Sequence, residues 1–182
     1  MPRIGRYRHT QATCEKPDPR AVLAAARVCR MIRRRLPQLS VEHVGSTAVP
    51  ELEGKGIVDL MVLYPDGMLA EARTCLDELG FQRQDFGDPF PEDRPMRVGT
   101  LAVDGREFRV HAHVLAASSA EVADLRRFRD LLRKEPGLAA AYVERKRELI
   151  AAGIVESPDY ALHKTGFIRA VLEGRERSTP AV

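Results

Sequence analysis

The sequence predicts an α+β fold, a mixed β-sheet packed by helices and followed by a C-terminal helical segment. Three observations carry this. An apolar stripe of helical period occupies residues 18–36; strand-type runs then surround a single helical stretch; and from Ser118 onward the pattern is helical. With 182 residues and 44% hydrophobic side chains, the chain is sized for one core. A loose polar arm is expected over residues 1–17, a single domain over 18–174 and a frayed tail over 175–182.

Asp18-Pro19 starts the first helix, with Asp as N-cap and Pro at the first helical position. Val22, Ala25, Cys29, Ile32 and Leu36 share one face, and Pro37 ends the helix. Arg30, Arg33, Arg34 and Arg35 fall around the other side, where positive charge suits the helix C-terminus. An ordinary solvated face and a phosphate or RNA contact both fit that cluster. Val41–Val44 reads as a strand, Gly45-Ser46-Thr47 as a turn, and Ile57–Tyr64 as a second strand. Pro65-Asp66 opens a helix that buries Leu69, Ala72, Leu76 and Leu79, and Gly80 caps it. Phe81–Gln84 reads as a short strand. Asp85–Pro95 is a Pro- and Asp-rich loop, with Phe86 and Phe90 folding back.

Met96–Val103 and Glu107–Leu115 are strands joined by Asp104-Gly105, a strong hairpin signal. Ser118 and Glu121 have capping-box spacing for a helix running to about Lys134, and Pro136-Gly137 breaks it. A further helix is expected from Leu138 to about Ala152, ended by Gly153. The last runs from Ser157-Pro158 to Glu173, closed by Gly174.

One carboxylate interrupts this apolar scheme. Asp59 stands inside the strand Ile57–Tyr64, and a lone carboxylate there is costly unless it is paired, hydrogen-bonded or bound to a metal. Side chains alternate along a strand, so Asp59 shares a face with Ile57, Met61 and Leu63. On Glu107–Leu115 the same alternation separates Phe108, Val110, Ala112 and Val114 from Arg109, His111, His113 and Leu115. If the two strands are neighbours, Asp59 lies beside His111 or His113. Imidazole nitrogens and a carboxylate together can ligate zinc or manganese. The plainer alternative is a pair of half-exposed, hydrogen-bonded histidines. Gly45-Ser46 permits close backbone approach, and turn N–H groups with a Ser hydroxyl can hold a phosphate. Gly54-Lys55 is not a Walker A loop, because Gly56 follows Lys55, and no G-x-S-x-G elbow is present.

Charge and cysteine use bound the remaining classes. Lys plus Arg is 29 against 26 acidic residues, a net charge of +3, which does not by itself argue for nucleic acid. Cys14, Cys29 and Cys75 are odd in number and widely spaced, which suggests reduced thiols in a cytoplasm and no zinc knuckle. No apolar run is long enough for a membrane span, and the basic N-terminus lacks the apolar core of a signal peptide.

Glu42-His-Val-Gly-Ser-Thr-Ala-Val-Pro50, followed by Lys55-Gly-Ile-Val-Asp59, resembles the signature of the GrpB-like proteins. That family belongs to the nucleotidyltransferase superfamily, which includes DNA polymerase beta. His111-Ala-His113-Val, Phe128-Arg-Asp-Leu-Leu-Arg133, and the pairs Tyr142/Lys146 and Tyr160/Lys164 resemble later family motifs in order, so the likeness covers roughly residues 20–172. Glu51 and Gly56 depart from the family's usual Gly and Pro, and a Trp-containing N-terminal segment common in the family is absent.

The resemblance implies a sheet of nucleotidyltransferase type. It also implies Gly45, Ser46 and Thr47 at a triphosphate, Asp59 as a metal ligand, and His111 or His113 completing a modified metal site. Lys55, Lys146 and Lys164 would neutralise phosphate charge. The superfamily holds two Mg2+ ions between paired carboxylates; here the second position is Met61, which cannot ligate a hard cation.

The expected function is therefore nucleotidyl transfer from a nucleoside triphosphate to a small acceptor. Asp59, His111 and His113 would carry the chemistry with a divalent cation, Mg2+ or Mn2+, with zinc also admissible. The competing reading is a non-catalytic nucleotide- or phosphate-binding module that has lost the second carboxylate. A third, nucleic-acid binding through the first-helix arginines with Arg126, Arg127 and Arg129, predicts steep salt dependence.

Overall fold

The computed structural model describes residues 3–155 and 158–174. In chain order it contains α1 (Arg20–Arg35), β1 (Ser40–Val44), a 3-10 turn (Ser46–Ala48), β2 (Val58–Tyr64), α2 (Leu69–Leu79) and β3 (Gln82–Arg83). Then come β4 (Met96–Val103), β5 (Arg106–Ala116), α3 (Ala120–Lys134), α4 (Pro136–Ala151) and α5 (Asp159–Leu172). The five strands form one sheet in the order β1-β2-β5-β4-β3. β2 and β5 run parallel and every other pair is antiparallel, so the sheet is mixed as expected. Asp104 and Gly105 both take positive φ, 49° and 79°, as a two-residue hairpin turn requires.

The sheet has two unlike faces. Val58, Leu60 and Val62 of β2 and Phe108, Val110, Ala112 and Val114 of β5 pack with α1 and α2 into the main core. Each of these side chains larger than alanine contributes roughly 1.5–3 kcal/mol by leaving water. The other face divides along the strands. At one end Met61, Leu63, Leu115 and Val44 are sealed by Val122 of α3. At the other end stand Asp59, His111 and His113. The C-terminal helices have their own core, in which Phe128, Leu132, Tyr142 and Val171 meet Val49 and Leu52 from the connection before β2.

The expected loose arm is instead pinned. Gly5 exchanges both backbone hydrogen bonds with Thr100 (2.8 and 3.1 Å), and Glu15 does the same with Gly54 (2.9 and 3.0 Å). Ile4 is buried in the main core, and its side chain lies across Gly99, where an added Cβ would stand 2.2 Å from Ile4 Cγ2. Ala12 is buried beside Leu149 and Tyr160. These are single anchoring residues separated by polar ones, so no periodic signal announces them.

Helix starts differ in detail. Asp18 accepts a hydrogen bond from Arg20 N (2.9 Å), as an N-cap does. At α3 the cap is Ser119 rather than Ser118: its hydroxyl accepts from Glu121 N, while the Glu121 carboxylate pairs with Arg94 instead of turning back. α3 ends at Lys134, before Pro136-Gly137 as expected, and α4 opens at Pro136 itself, two residues ahead of Leu138, since a missing N–H costs nothing in a first turn. The tail expected over 175–182 lies outside the described residues.

Candidate functional site

The β2–β5 register sets Asp59 opposite His111 and Met61 opposite His113. Alternation then turns Asp59, His111 and His113 to the same face. Asp59 Oδ1 lies 3.6 Å from His111 Nδ1 and 3.8 Å from His113 Nε2. One ligating atom from each of the three residues falls within 4.8 Å of the others. The far nitrogen of His111, Nε2, is 2.7 Å from the Tyr7 hydroxyl. Tyr7 is held by stacking on Phe86, with ring centroids 5.2 Å apart, and Phe86 stacks in turn on His9. Phe90 meets the edge of His113 at 5.7 Å. Both loop phenylalanines thus fold back onto the histidines.

The Gly-Ser turn is built against Asp59. Gly45 has φ 72° and ψ −171°, and a Cβ on it would stand 2.4 Å from Asp59 Oδ2. Glycine is required by the close approach and by a backbone region that is nearly glycine-only. Two arginines of α3 clamp the turn from behind. Arg133 donates to the Ala48 carbonyl through Nε and Nη2 (3.0 and 2.7 Å), and Arg129 donates to the His43 carbonyl at 3.2 Å. Arg126 and Arg129 also pair with Glu42, so these cations serve the fold. The Thr47 hydroxyl donates to the Ile57 carbonyl (2.9 Å) and lies 2.9 Å from His43 Nε2. Because that hydroxyl has one proton and a carbonyl only accepts, His43 carries its proton on Nε2. Thr47 therefore braces the turn to the start of β2.

A cleft of about 200 Å³ opens on this face, lined by Ser46, Asp59, His111 and His113 together with Lys55, Lys146 and Lys164. Tyr142, Tyr160, Phe86 and Phe90 supply its aromatic walls. Lys146 is buried, 3% exposed; its Nζ donates to the Glu53 carbonyl and lies 3.4 Å from Ser46 Oγ. Lys55 Nζ sits 4.2 Å above the Tyr160 ring. All the sequence-derived site residues except Gly45 and Thr47 thus line one cleft, and those two shape its wall. Sequence reasoning missed Tyr7, which carries no signal in a segment without pattern, and the clamping role of Arg129 and Arg133, whose i,i+4 spacing was the available hint.

Burial dominates the electrostatics. It pushes the Lys146 ammonium down to about 8 and the Tyr7 hydroxyl up to about 12. It also pushes His43 and His111 from 6.5 down to about 4, so both are neutral at pH 7. Burial works against the Asp59 carboxylate too, but the nearby His113, His111 and Lys164 outweigh it and hold the group below its ordinary value. Folded histidines that resist protonation make stability complete above the unfolded value near 6.5, and stability is lost as pH falls toward 4. For His43 alone the loss is on the order of a few kcal/mol. Urea denaturation between pH 7 and pH 4 should show a falling midpoint; a flat profile would contradict neutral burial.

A paired-carboxylate, two-ion arrangement does not fit these residues. The second position is Met61, 0% exposed and enclosed by Val44, Leu63, Leu115 and Val122. A single ion on Asp59, His111 and His113 does fit, since two imidazoles and a carboxylate converge.

A five-stranded mixed sheet with a Gly-Ser turn leaving one strand and an acidic residue on the next defines a protein of nucleotidyltransferase-type fold. A crystal structure of conserved protein GrpB from Enterococcus faecalis matches it with a TM-score of 0.67 at 20% identity, covering 91% of this chain and 98% of that one. The structure of the GLD-2/RNP-8 complex matches with a TM-score of 0.55 at 10% identity, over 81% of this chain and 58% of that one. At such identities the likeness is one of fold. The GrpB protein family profile matches residues 12–174, and the chain belongs to that family. It is 34% identical to a UPF0157 protein of Pseudomonas aeruginosa over 139 residues, 75% of this chain but only 55% of the relative's length. It is 30% identical to a UPF0157 protein of Deinococcus radiodurans over 173 residues, 93% of this chain and 86% of that protein.

Proposed function

We propose that the cleft binds a nucleoside triphosphate and transfers its nucleotidyl group to a small acceptor. The observation that carries this reading is the packing of the Gly45-Ser46 turn directly on Asp59, which sets a phosphate-sized backbone turn beside a carboxylate. In this reading the turn N–H groups and the Ser46 hydroxyl donate to phosphate oxygens. Lys55, from the connection before β2 with its Nζ over Tyr160, and Lys164 of α5 line the cleft and balance phosphate charge. Lys146, being buried, acts through Ser46 by orienting its hydroxyl. Asp59, His111 and His113 would hold one divalent cation, Mg2+, Mn2+ or zinc, which when bound supplies positive charge to phosphate oxygens. The three cysteines are free and no described helix is long and apolar enough to cross a membrane, which accords with a cytoplasmic setting.

Equilibrium dialysis of the protein with labelled ATP and Mn2+ tests the binding step. Binding is expected, and Asp59→Asn, which keeps the side chain's size, should weaken it at least about tenfold, or 1.4 kcal/mol. If no nucleoside triphosphate binds with Mg2+, Mn2+ or Zn2+, the reading fails. Enclosed Met61 favours a second reading, in which the module binds the nucleotide without transfer. Pyrophosphate release across a panel of small acceptors separates the two.

A further inference from the structure

The donor set and its spacing also say which ion suits this cleft. Asp59, His111 and His113 offer one oxygen and two imidazole nitrogens. Hard Mg2+ prefers oxygen ligands and retained water at about 2.0–2.1 Å in octahedral geometry, so adjacent ligands stand about 2.9 Å apart. Imidazole suits zinc, iron and their first-row neighbours. Around tetrahedral zinc, bonds of about 2.0–2.2 Å put ligands about 3.3–3.5 Å apart. The observed separations from Asp59 Oδ1, 3.6 and 3.8 Å, lie nearer that longer edge.

The surroundings of His111 point the same way. Its Nδ1 faces Asp59, while Nε2 faces the Tyr7 hydroxyl at 2.7 Å. A metal-ligating histidine generally donates its other ring N–H to an acceptor that sets tautomer and ring angle. Tyr7 is placed for that task by its own backbone N–H, which donates to Gln82 Oε1 (2.8 Å), and by its stack on Phe86. The arm is pinned just before this residue, where Gly5 pairs with Thr100.

We propose that Asp59, His111 and His113 form a site for one borderline first-row ion of the zinc class in place of magnesium, with Tyr7 as a positioning residue that holds His111 Nδ1 toward the ion. The proposal deepens the nucleotide-binding reading by assigning its ion; it rests on that reading for the ion's purpose and not for ion binding itself.

Tag-free protein, stripped by a chelator, is titrated with Co2+ and followed by visible d–d absorption. One equivalent should produce the bands, one equivalent of Zn2+ should abolish them, and about a thousandfold excess of Mg2+ should leave them in place. His113→Gln and Asp59→Asn, each checked for folding by circular dichroism, should lose the bands. Tyr7→Phe should keep one-to-one binding but loosen it about tenfold and shift the bands, an effect that lost packing alone would not produce. Displacement of Co2+ by Mg2+ at similar concentration would overturn the proposal, as would bands that survive in both ligand variants. Unchanged affinity and spectrum in Tyr7→Phe would remove the role given to Tyr7. Dialysis with labelled ATP and Mg2+ keeps the two readings apart. ATP binding with no Co2+ bands sinks the ion assignment alone, whereas Co2+ bands with no binding of any nucleotide sink the nucleotide reading alone.

Discussion

Gly45→Ala is expected to destabilise the protein by roughly 3 kcal/mol or more and to abolish ligand binding in the cleft. Two costs add. The backbone at φ 72° and ψ −171° lies in a region that side chains other than glycine's hardly enter. The new Cβ would also stand 2.4 Å from Asp59 Oδ2 and 3.0 Å from Asp59 Cβ. The carboxylate could swing aside, but Asp59 Cβ is tied to the β2 backbone and cannot. Relief therefore requires moving the turn or the strand, and either displaces Asp59 from the histidines. Gly105→Asn is the control. Gly105 also has positive φ, 79°, yet nothing lies within 4 Å of its would-be Cβ, and Asn tolerates that region. Its cost should stay below about 1 kcal/mol. Urea unfolding of the two variants compares them directly, and equal losses would show that the contact with Asp59 does not matter.

Met61→Asp, which puts a carboxylate at the second position that the nucleotidyltransferase resemblance implies, is expected to cost roughly 3–5 kcal/mol rather than create a magnesium site. Met61 is 0% exposed within the apolar cluster of Val44, Leu63, Leu115 and Val122, and of its cross-strand partners Glu42 would repel a new carboxylate while His113 already faces Asp59. Met61→Leu, of similar volume, should stay within about 1.5 kcal/mol. The same urea measurements, repeated with Mg2+, decide the matter. A Met61→Asp protein of near-normal stability that gains Mg2+ affinity would show that the position faces the Asp59, His111 and His113 cluster and that the apolar cluster yields to it.

These two residues mark where sequence reasoning reached and where it stopped. Alternation along β2 and β5 is enough to separate Asp59, His111 and His113 from the apolar face, because a strand's side-chain period is two whatever it pairs with. It could not show that Met61, on the same face as Asp59, is closed over by α3 through Val122. That depends on a helix packing some sixty residues later in the chain. The hairpin at Asp104-Gly105 was legible because its chemistry is local. The cap stands at Ser119, one residue past the expected Ser118, and Glu121 does not close a capping box because it pairs with Arg94 from a distant loop. The arm carries no local signal of its anchoring. Ile4, Tyr7 and Ala12 find partners in α2, β4, β5 and α4, and nothing between them repeats.

The sequence by itself determined the α+β class, the element order, the turn that needs glycine, and the polar face that carries the carboxylate and histidines. All of these follow from local periodicity, turn propensity and residue type. Only the tertiary structure decided that β2 and β5 are parallel neighbours in a register that sets Asp59 opposite His111. It also decided that Tyr7 reaches His111 and that Met61 is sealed while Lys146 is drawn in behind Ser46. Alternation tells a side chain which face it takes, but which strand lies alongside and what covers the face are settled by contacts between residues far apart in the chain.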